Sequence, residues 1–183
     1  IESFSGRIDS MSYIYYDLAI DKQIKNLTLP DGSSMDQIKQ KMKKEDLKDL
    51  VKTITKINYF KRLESSIFSL KKSLEHQRDY IEMTIRVAQQ KKKFIPPKFK
   101  NNVYEDESTG FDFSGISETE FQNLDMTDEE VSSYTELASK DVNTINSIIE
   151  ELEKLEDTKF ETFIRKLKSI NIEGNNGIII FSS

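Results

Sequence analysis

Residues 33–95 contain neither Pro nor Gly, and their apolar side chains recur every three or four positions. This spacing places the apolar side chains on one face of a helix. The pattern predicts a single helix from about residue 46 to 93, about 70 Å long at 1.5 Å per residue. Pro96 and Pro97 are expected to end it, because proline disfavours helix in the preceding residue. The stripe consists of Leu47, Leu50, Ile54, Ile57, Phe60, Leu63, Ile67, Leu70, Leu74, Ile81, Ile85 and Ala88.

A stripe this narrow is typical of a coiled-coil seam and needs a partner helix. Thr127 to Glu130 have the pattern of a capping box, in which Thr and Glu side chains satisfy each other's backbone amides. An apolar stripe follows from Val131 to Leu155 and predicts a second long helix. We expect the two helices to be antiparallel partners within the chain. A dimer closed by the first stripe is the alternative.

The remaining segments extend this plan at both ends. Apolar spacing predicts a helix over residues 8–25, and a helix over residues 35–44 follows the turn at Pro30. An acidic loop at about residues 98–120 is expected as a mobile excursion between the two long helices. A last helix is expected to begin after Asp157-Thr158, and residues 178–181 have the continuous apolar character of a buried strand.

The predicted fold class is all-α: a long antiparallel helical hairpin or bundle with a C-terminal β-strand stub of the next domain. Three regions are expected. Residues 1–45 hold the N-terminal helices and residues 46–156 the hairpin. Residues 157–183 hold a helix and the first strand of a second lobe.

Composition limits the chemistry that is open to the chain. It has no Cys and one His, which excludes disulfides, thiolate metal sites and a His cluster. No apolar run approaches the roughly 20 residues of a membrane span. The first residues resemble neither an initiator start nor a signal peptide, and the terminal strand lacks neighbours. We therefore expect an internal fragment of a soluble cytoplasmic protein, with no membrane partner.

The net charge of −5 hides two unequal halves. Residues 1–100 hold 21 Lys and Arg against 13 Asp and Glu, whereas residues 101–183 hold 6 against 19. The simpler interpretation is that the two halves attract each other across solvated helix faces. The alternative is that the basic half contacts phosphate groups.

A search for catalytic motifs finds none. The chain has no phosphate-binding GxxxxGK[ST] loop and no glycine-rich dinucleotide turn, so we predict no catalytic residue, no metal site and no cofactor within it. His76 and the acidic runs are interpreted as surface groups.

Residues 61–66, with the sequence KRLESS, are the exception. Lys61 and Ser65, like Arg62 and Ser66, are four apart, so each basic group should share a helix face with a hydroxyl. Such a pair can hold a phosphate oxygen. An exposed surface without a ligand is the alternative. The candidate nucleic-acid-binding residues are Lys61, Arg62, Ser65, Ser66, Lys71 and Lys72.

The KRLESS segment, followed by Phe68 and Leu70, resembles a helix of a bacterial group of Snf2-like superfamily 2 helicases, where it lies between two RecA-like motor lobes. The order Asp157-Thr158-Lys159-Phe160, Leu167 and Gly177–Ser183 resembles the helix and first strand that open the second lobe.

The resemblance implies a parent protein that hydrolyses ATP with Mg and moves along or remodels nucleic acid. The chain would be its non-catalytic helical insertion. Its partners would be the motor lobes of the same chain, which it braces, and possibly DNA, whose phosphates Lys61 and Arg62 would contact. Two alternatives remain: a coiled-coil interaction module of a scaffold protein, and a subunit of a restriction system.

Overall fold

The computed structural model describes residues 2–22, 44–106, 110–156 and 158–169, and within these the chain is mostly helical. The all-α prediction is confirmed. The predicted helix over residues 35–44 lies almost wholly outside the described residues, and the predicted C-terminal strand lies wholly outside them. The elements are α1 (Glu2–Ser10), α2 (Ile14–Asp21), α3 (Lys44–Ser65), α4 (Ile67–Lys91), a 3₁₀ turn (Pro97–Phe99), β1 (Tyr104–Asp106), β2 (Gly110–Asp112), α5 (Glu118–Gln122), α6 (Asp128–Leu152) and α7 (Thr158–Ser169).

Helices α4 and α6 form the predicted antiparallel hairpin and make the most extensive helix pair of the described chain. Near its middle, the hydroxyl oxygens of Thr84 and Tyr134 lie 2.6 Å apart in a buried hydrogen bond. The facing stripes are buried, so the α4 stripe closes within the chain and does not need a dimer. The buried apolar side chains are Leu70, Leu74, Tyr80, Ile81, Val87 and Ala88 on α4 and Tyr134, Ala138, Val142, Ile145, Ile148, Ile149 and Leu152 on α6.

Helix α6 begins with the predicted capping box. The Thr127 hydroxyl accepts the Glu130 amide at 3.2 Å, and the Glu130 carboxylate accepts the Thr127 amide at 2.8 Å. The ammonium of Lys22 also lies 3.1 Å from the Glu130 carboxylate. The box therefore starts α6 and links it to the end of α2.

The prediction of one helix over residues 46–93 is wrong, because the chain turns at Ser66. This residue has extended backbone angles (φ −167°, ψ 155°), and its hydroxyl accepts the Ser69 amide at 2.9 Å. Serine is a favoured N-cap because its oxygen satisfies an amide of the first turn that lacks a helical partner. Helix α4 also ends at Lys91, before the prolines, because Lys92 adopts a left-handed conformation (φ 50°).

Helix α3, which precedes the turn at Ser66, packs against the N-terminal helices. The Phe4 and Phe60 rings make an edge-to-face contact at 6.0 Å. On the same side, Lys52 lies 3.1 Å from the carboxylate of Asp17. Half of the predicted long helix is thus paired with α1 and α2 instead of α6.

The predicted helix over residues 8–25 is likewise broken: its first residues form the end of α1, residues 14–21 form α2, and residues 23–25 lie outside the described residues. The break is held by Asp141 of α6, which is 1% exposed. Its carboxylate accepts the Ser12 amide at 2.7 Å, the Ser12 hydroxyl at 2.9 Å and the Tyr13 amide at 2.9 Å. In this arrangement the backbone of Tyr13 is in the left-handed region, with φ 52°. A side chain 128 positions away thus holds the backbone just before α2, and local spacing carries no sign of it.

The described residues of the acidic segment, 98–106 and 110–120, fold onto the hairpin, where Glu105 pairs with Arg86 and the Lys100 ammonium donates to the His76 carbonyl. It contains the 3₁₀ turn, the β1–β2 antiparallel pair and the start of α5, and Phe111 is buried. The Lys93 ammonium lies 4.0 Å from the centre of the Phe121 ring. This contact is of the cation–aromatic kind that stabilises a partly desolvated lysine. The segment is therefore a packed connection between α4 and α6.

Replacing Asp141 with Ala should lower the free energy of unfolding by about 3 kcal/mol, since two backbone amides are left without an acceptor inside the protein. Urea unfolding followed by circular dichroism measures this. Asp79→Ala is the matched control, because the Asp79 side chain is 60% exposed and pairs with Arg78 on the surface; it should change stability by less than about 0.5 kcal/mol. Equal losses of stability in Asp141→Ala and Asp79→Ala would contradict the stabilising role of the Asp141 hydrogen bonds.

The capping box should make α6 stability depend on pH. The pKa of Glu130 is lowered, first by the Thr127 amide and then by Lys22. A lowered folded-state pKa stabilises the fold above the unfolded value of about 4.3, and this stabilisation is lost as pH falls through the folded pKa. Glu130→Gln should therefore be less stable than wild type at pH 7, and the gap should shrink as pH falls from about 4.3 through the lowered folded pKa. Glu129→Gln, at an exposed position of the same turn, should show a much smaller gap in the same urea series.

Candidate nucleic-acid interface

The KRLESS corner, residues 61–68, is the point where α3 ends and α4 begins. It lies at the end of the hairpin where α6 terminates, because Lys71, one turn into α4, pairs with Glu153 at 2.7 Å. The break at Ser66 separates α3 from α4, and the exposed residues of the corner lie at this end of the hairpin. Its position follows from the serine cap.

Lys61 and Arg62 are both exposed on the last turns of α3. Within the described part of the chain, neither side chain has a hydrogen bond or an ion pair. Each can therefore bind an anion without first breaking an ion pair to a carboxylate. Ser65, in the next turn, is exposed as well and adds a hydroxyl donor.

Ser66 does not share a helix face with Arg62 as predicted. Its backbone is extended, and its hydroxyl is already the acceptor that caps α4. The sequence spacing was correct, but the inference that both residues lie in one helix was wrong. Ser66 shapes the corner and is not positioned by the helix to bind phosphate together with Arg62.

Lys71 and Lys72 are engaged with carboxylates. Lys71 lies 2.7 Å from Glu153 and 3.8 Å from Glu75, and its hydrogen bond to Glu153 raises its pKa. Lys72 lies 2.7 Å from Glu75, and this hydrogen bond lowers the pKa of the Glu75 carboxyl. A phosphate at either lysine would compete with a carboxylate. The structure therefore separates these two from Lys61 and Arg62.

The first turns of α7 lie beside the corner, because the Lys159 ammonium donates to the Glu64 carbonyl at the end of α3. One face of α7 lines a shallow groove of about 420 Å³. The lining residues are Thr158, Lys159, Thr162 and Lys166. They bring two more cations and two hydroxyls to this side of the molecule. The sequence analysis missed them, although their spacing places them on one helix face.

Elsewhere, the basic and acidic halves pair with each other as expected. Arg7 pairs with Glu151 of α6, and Arg86 lies 2.7 Å from Glu105. At the end of α4, the ammonium groups lie 2.7 and 2.6 Å from carboxylates, in the pairs Lys92–Asp128 and Lys93–Asp125. These surface pairs add little stability individually. Their effect on function is to neutralise much of the basic half away from the KRLESS corner.

Phe68, in the first turn of α4, is 60% exposed. It is one of three large hydrophobic side chains that are exposed in the described chain, with Leu155 at 52% and Ile57 at 48%. The Lys72 ammonium lies 5.9 Å from the centre of the Phe68 ring. An exposed aromatic ring thus lies two residues after Ser66, with the Lys72 ammonium over it.

The described residues offer no evident catalytic constellation. No group of three metal-ligating side chains comes together among them, and His76 lies exposed on α4. Burial raises the pKa of Tyr16 to about 12 and that of Tyr80 well above its usual value, so these hydroxyls stay protonated at neutral pH. None of the described helices is long and apolar enough to cross a membrane.

Comparison with known proteins adds no relative: no protein-family model, no curated protein and no solved structure matches this chain.

The capping role of Ser66 can be separated from any role in binding. Ser66→Ala should lower the free energy of unfolding by about 1 kcal/mol, because the Ser69 amide is left without its acceptor, while Ser66→Asp should keep the cap. Thermal unfolding provides the measurement. Ser65→Ala is the neighbouring control and should leave stability nearly unchanged. A Ser66→Ala protein as stable as wild type would show that the turn does not depend on the cap.

Proposed function

We propose that this chain is the non-catalytic helical region of an Snf2-like, ATP-dependent helicase or translocase in the cytoplasm. In this role it braces the two motor lobes and contacts nucleic-acid phosphates through Lys61 and Arg62. The observation that carries the proposal is the KRLESS corner itself. The segment that resembles the helicase group is the place where two exposed cations stand without an anion from the described part of the chain.

The α4–α6 hairpin supports the bracing role. Each of its helices has 25 residues, about 37 Å at 1.5 Å per residue, and their facing sides are buried along their length. Such a pair is stiff enough to transmit the position of one end to the other. In the proposed parent, ATP and Mg belong to the motor lobes, and this chain supplies the strut and a phosphate contact.

The phosphate role is supported by the chemistry of the corner. Lysine and arginine contribute the sequence-independent part of nucleic-acid affinity by replacing counterions along the phosphate backbone. Phosphate contacts of this kind position a protein on its substrate without reading its sequence. Such a contact suits a motor that must move from one position to the next. The acidic half of the chain should keep the affinity modest.

A protein-interaction module is the second candidate. It is favoured by the exposed side chains of Ile57, Phe68 and Leu155, since exposed apolar groups are typical of docking surfaces. The dimer version of this candidate loses its original basis, because α6 covers the α4 stripe. Sedimentation of the chain at several concentrations distinguishes a self-associating module from a monomeric strut.

The coding sequence on either side of this chain is the first test of the proposal. It should encode GxxxxGK[ST] and a DExH box upstream, and an arginine-containing motor motif downstream. Their absence would remove the helicase interpretation and leave the interaction module.

Lys61→Ala/Arg62→Ala should weaken duplex binding and reduce the slope of log affinity against log salt by about 2, one for each phosphate that is no longer neutralised. Fluorescence anisotropy with a labelled duplex at several salt concentrations measures both. Lys91→Ala/Lys140→Ala removes the same charge at exposed positions outside the corner and controls for net charge. If the two variants bind the duplex equally weakly, the corner is not the site of phosphate binding.

A further inference from the structure

The ring of Phe68 requires an explanation that phosphate contacts do not supply. Helix α4 begins at Ile67, so Phe68 lies in its first turn and is 60% exposed, whereas Leu70 and Leu74 on the same helix are fully buried. A large aromatic ring that is 60% exposed gains only part of the stabilisation that full burial would give. Its surroundings indicate what it could contact.

Those surroundings are basic and hydroxyl-bearing. Lys61 and Arg62 stand two turns or less before Phe68, and Ser65 is exposed between them and the ring. The Lys72 ammonium lies 5.9 Å from the ring centre. Glu64 is the exposed carboxylate of this segment, and its neighbour across the corner is Lys159. Cations therefore precede and follow Phe68 along the chain, and one of them, Lys72, lies over its ring.

An aromatic ring flanked by cations suits an unpaired nucleotide. Proteins that bind single strands combine a positive surface for the phosphates with aromatic rings on which bases stack. A duplex keeps its bases stacked inside and offers no base face to an exposed ring.

We propose that the KRLESS corner binds an unpaired nucleotide of a single strand, with its base stacked on Phe68 and its flanking phosphates held by Lys61 and Arg62. This inference rests on the proposed function and narrows its substrate from nucleic acid in general to a strand with accessible bases. The competing occupant, an acidic protein segment, would use the same cations and would pack an apolar side chain on the ring.

Because the chain contains no Trp, Phe68→Trp introduces a single indole at the candidate stacking position. Addition of a single-stranded oligonucleotide of mixed sequence should quench its emission, whereas a blunt duplex with the same number of phosphates should quench it little. Ser132→Trp is the matched control, exposed on α6 near the opposite end of the hairpin, and should respond to neither.

Affinity measurements test the same interaction without a new fluorophore. By anisotropy, Phe68→Ala should weaken single-strand binding about ten-fold or more, as expected when one base no longer stacks, and leave duplex binding unchanged. Phe68→Tyr should bind single strands about as well as wild type does. Phe68→Leu should bind them as weakly as Phe68→Ala. The exposure of the side chain makes misfolding of these variants unexpected, and circular dichroism checks it.

The outcomes separate the two proposals. If Phe68 variants bind single strands as wild type does while Lys61→Ala/Arg62→Ala weakens duplex binding, base stacking is wrong and the phosphate contact stands. If no variant changes any nucleic-acid binding, the phosphate-binding part of the proposed function fails as well. If polyglutamate quenches the indole as strongly as the oligonucleotide and displaces it, an acidic protein segment is the occupant, and the base-stacking proposal is overturned.

Discussion

The arrangement of the N-terminal half depends on the hydrogen bonds that the buried carboxylate of Asp141 accepts. By accepting two amides and a hydroxyl at the start of α2, it stops α1 from continuing and fixes α2 against α6. Burial raises the pKa of this carboxyl, while the hydrogen bonds oppose the rise, so the charged group is tolerated because it is fully bonded. With α1 and α2 held there, α3 has a surface to pack against.

That surface explains why the chain benefits from turning at Ser66. A continuous helix would carry the apolar stripe of α3 beyond the reach of α6, and those side chains would stay in water. The serine cap lowers the free-energy cost of the turn, since it satisfies an amide that the new helix start would otherwise leave unpaired. The KRLESS corner thus lies where two helices that pack against different partners meet.

The functional proposals follow from how charge is distributed on this frame. Most cations along α4 and at its end are paired with carboxylates, largely of the acidic half, whereas Lys61 and Arg62, like Lys91, have no partner in the described part of the chain. The segment also resembles a helicase helix and has an exposed phenylalanine beside it. A strut with a nucleic-acid contact at one end accounts for these features together.

The sequence by itself determined the all-α class, the α4–α6 pairing and the start of α6, because these depend on apolar spacing and on a capping box read over four residues. It also identified Lys61, Arg62 and Ser65 as candidate ligands. Only the tertiary structure decided where the long helix turns, which lysines are neutralised, and that α7 brings Lys159 to the corner. A serine within a helical pattern becomes a cap, and a helix becomes two, only when distant groups such as Asp141 favour the break. Those energies come from contacts between segments far apart in the sequence, which local patterns do not contain.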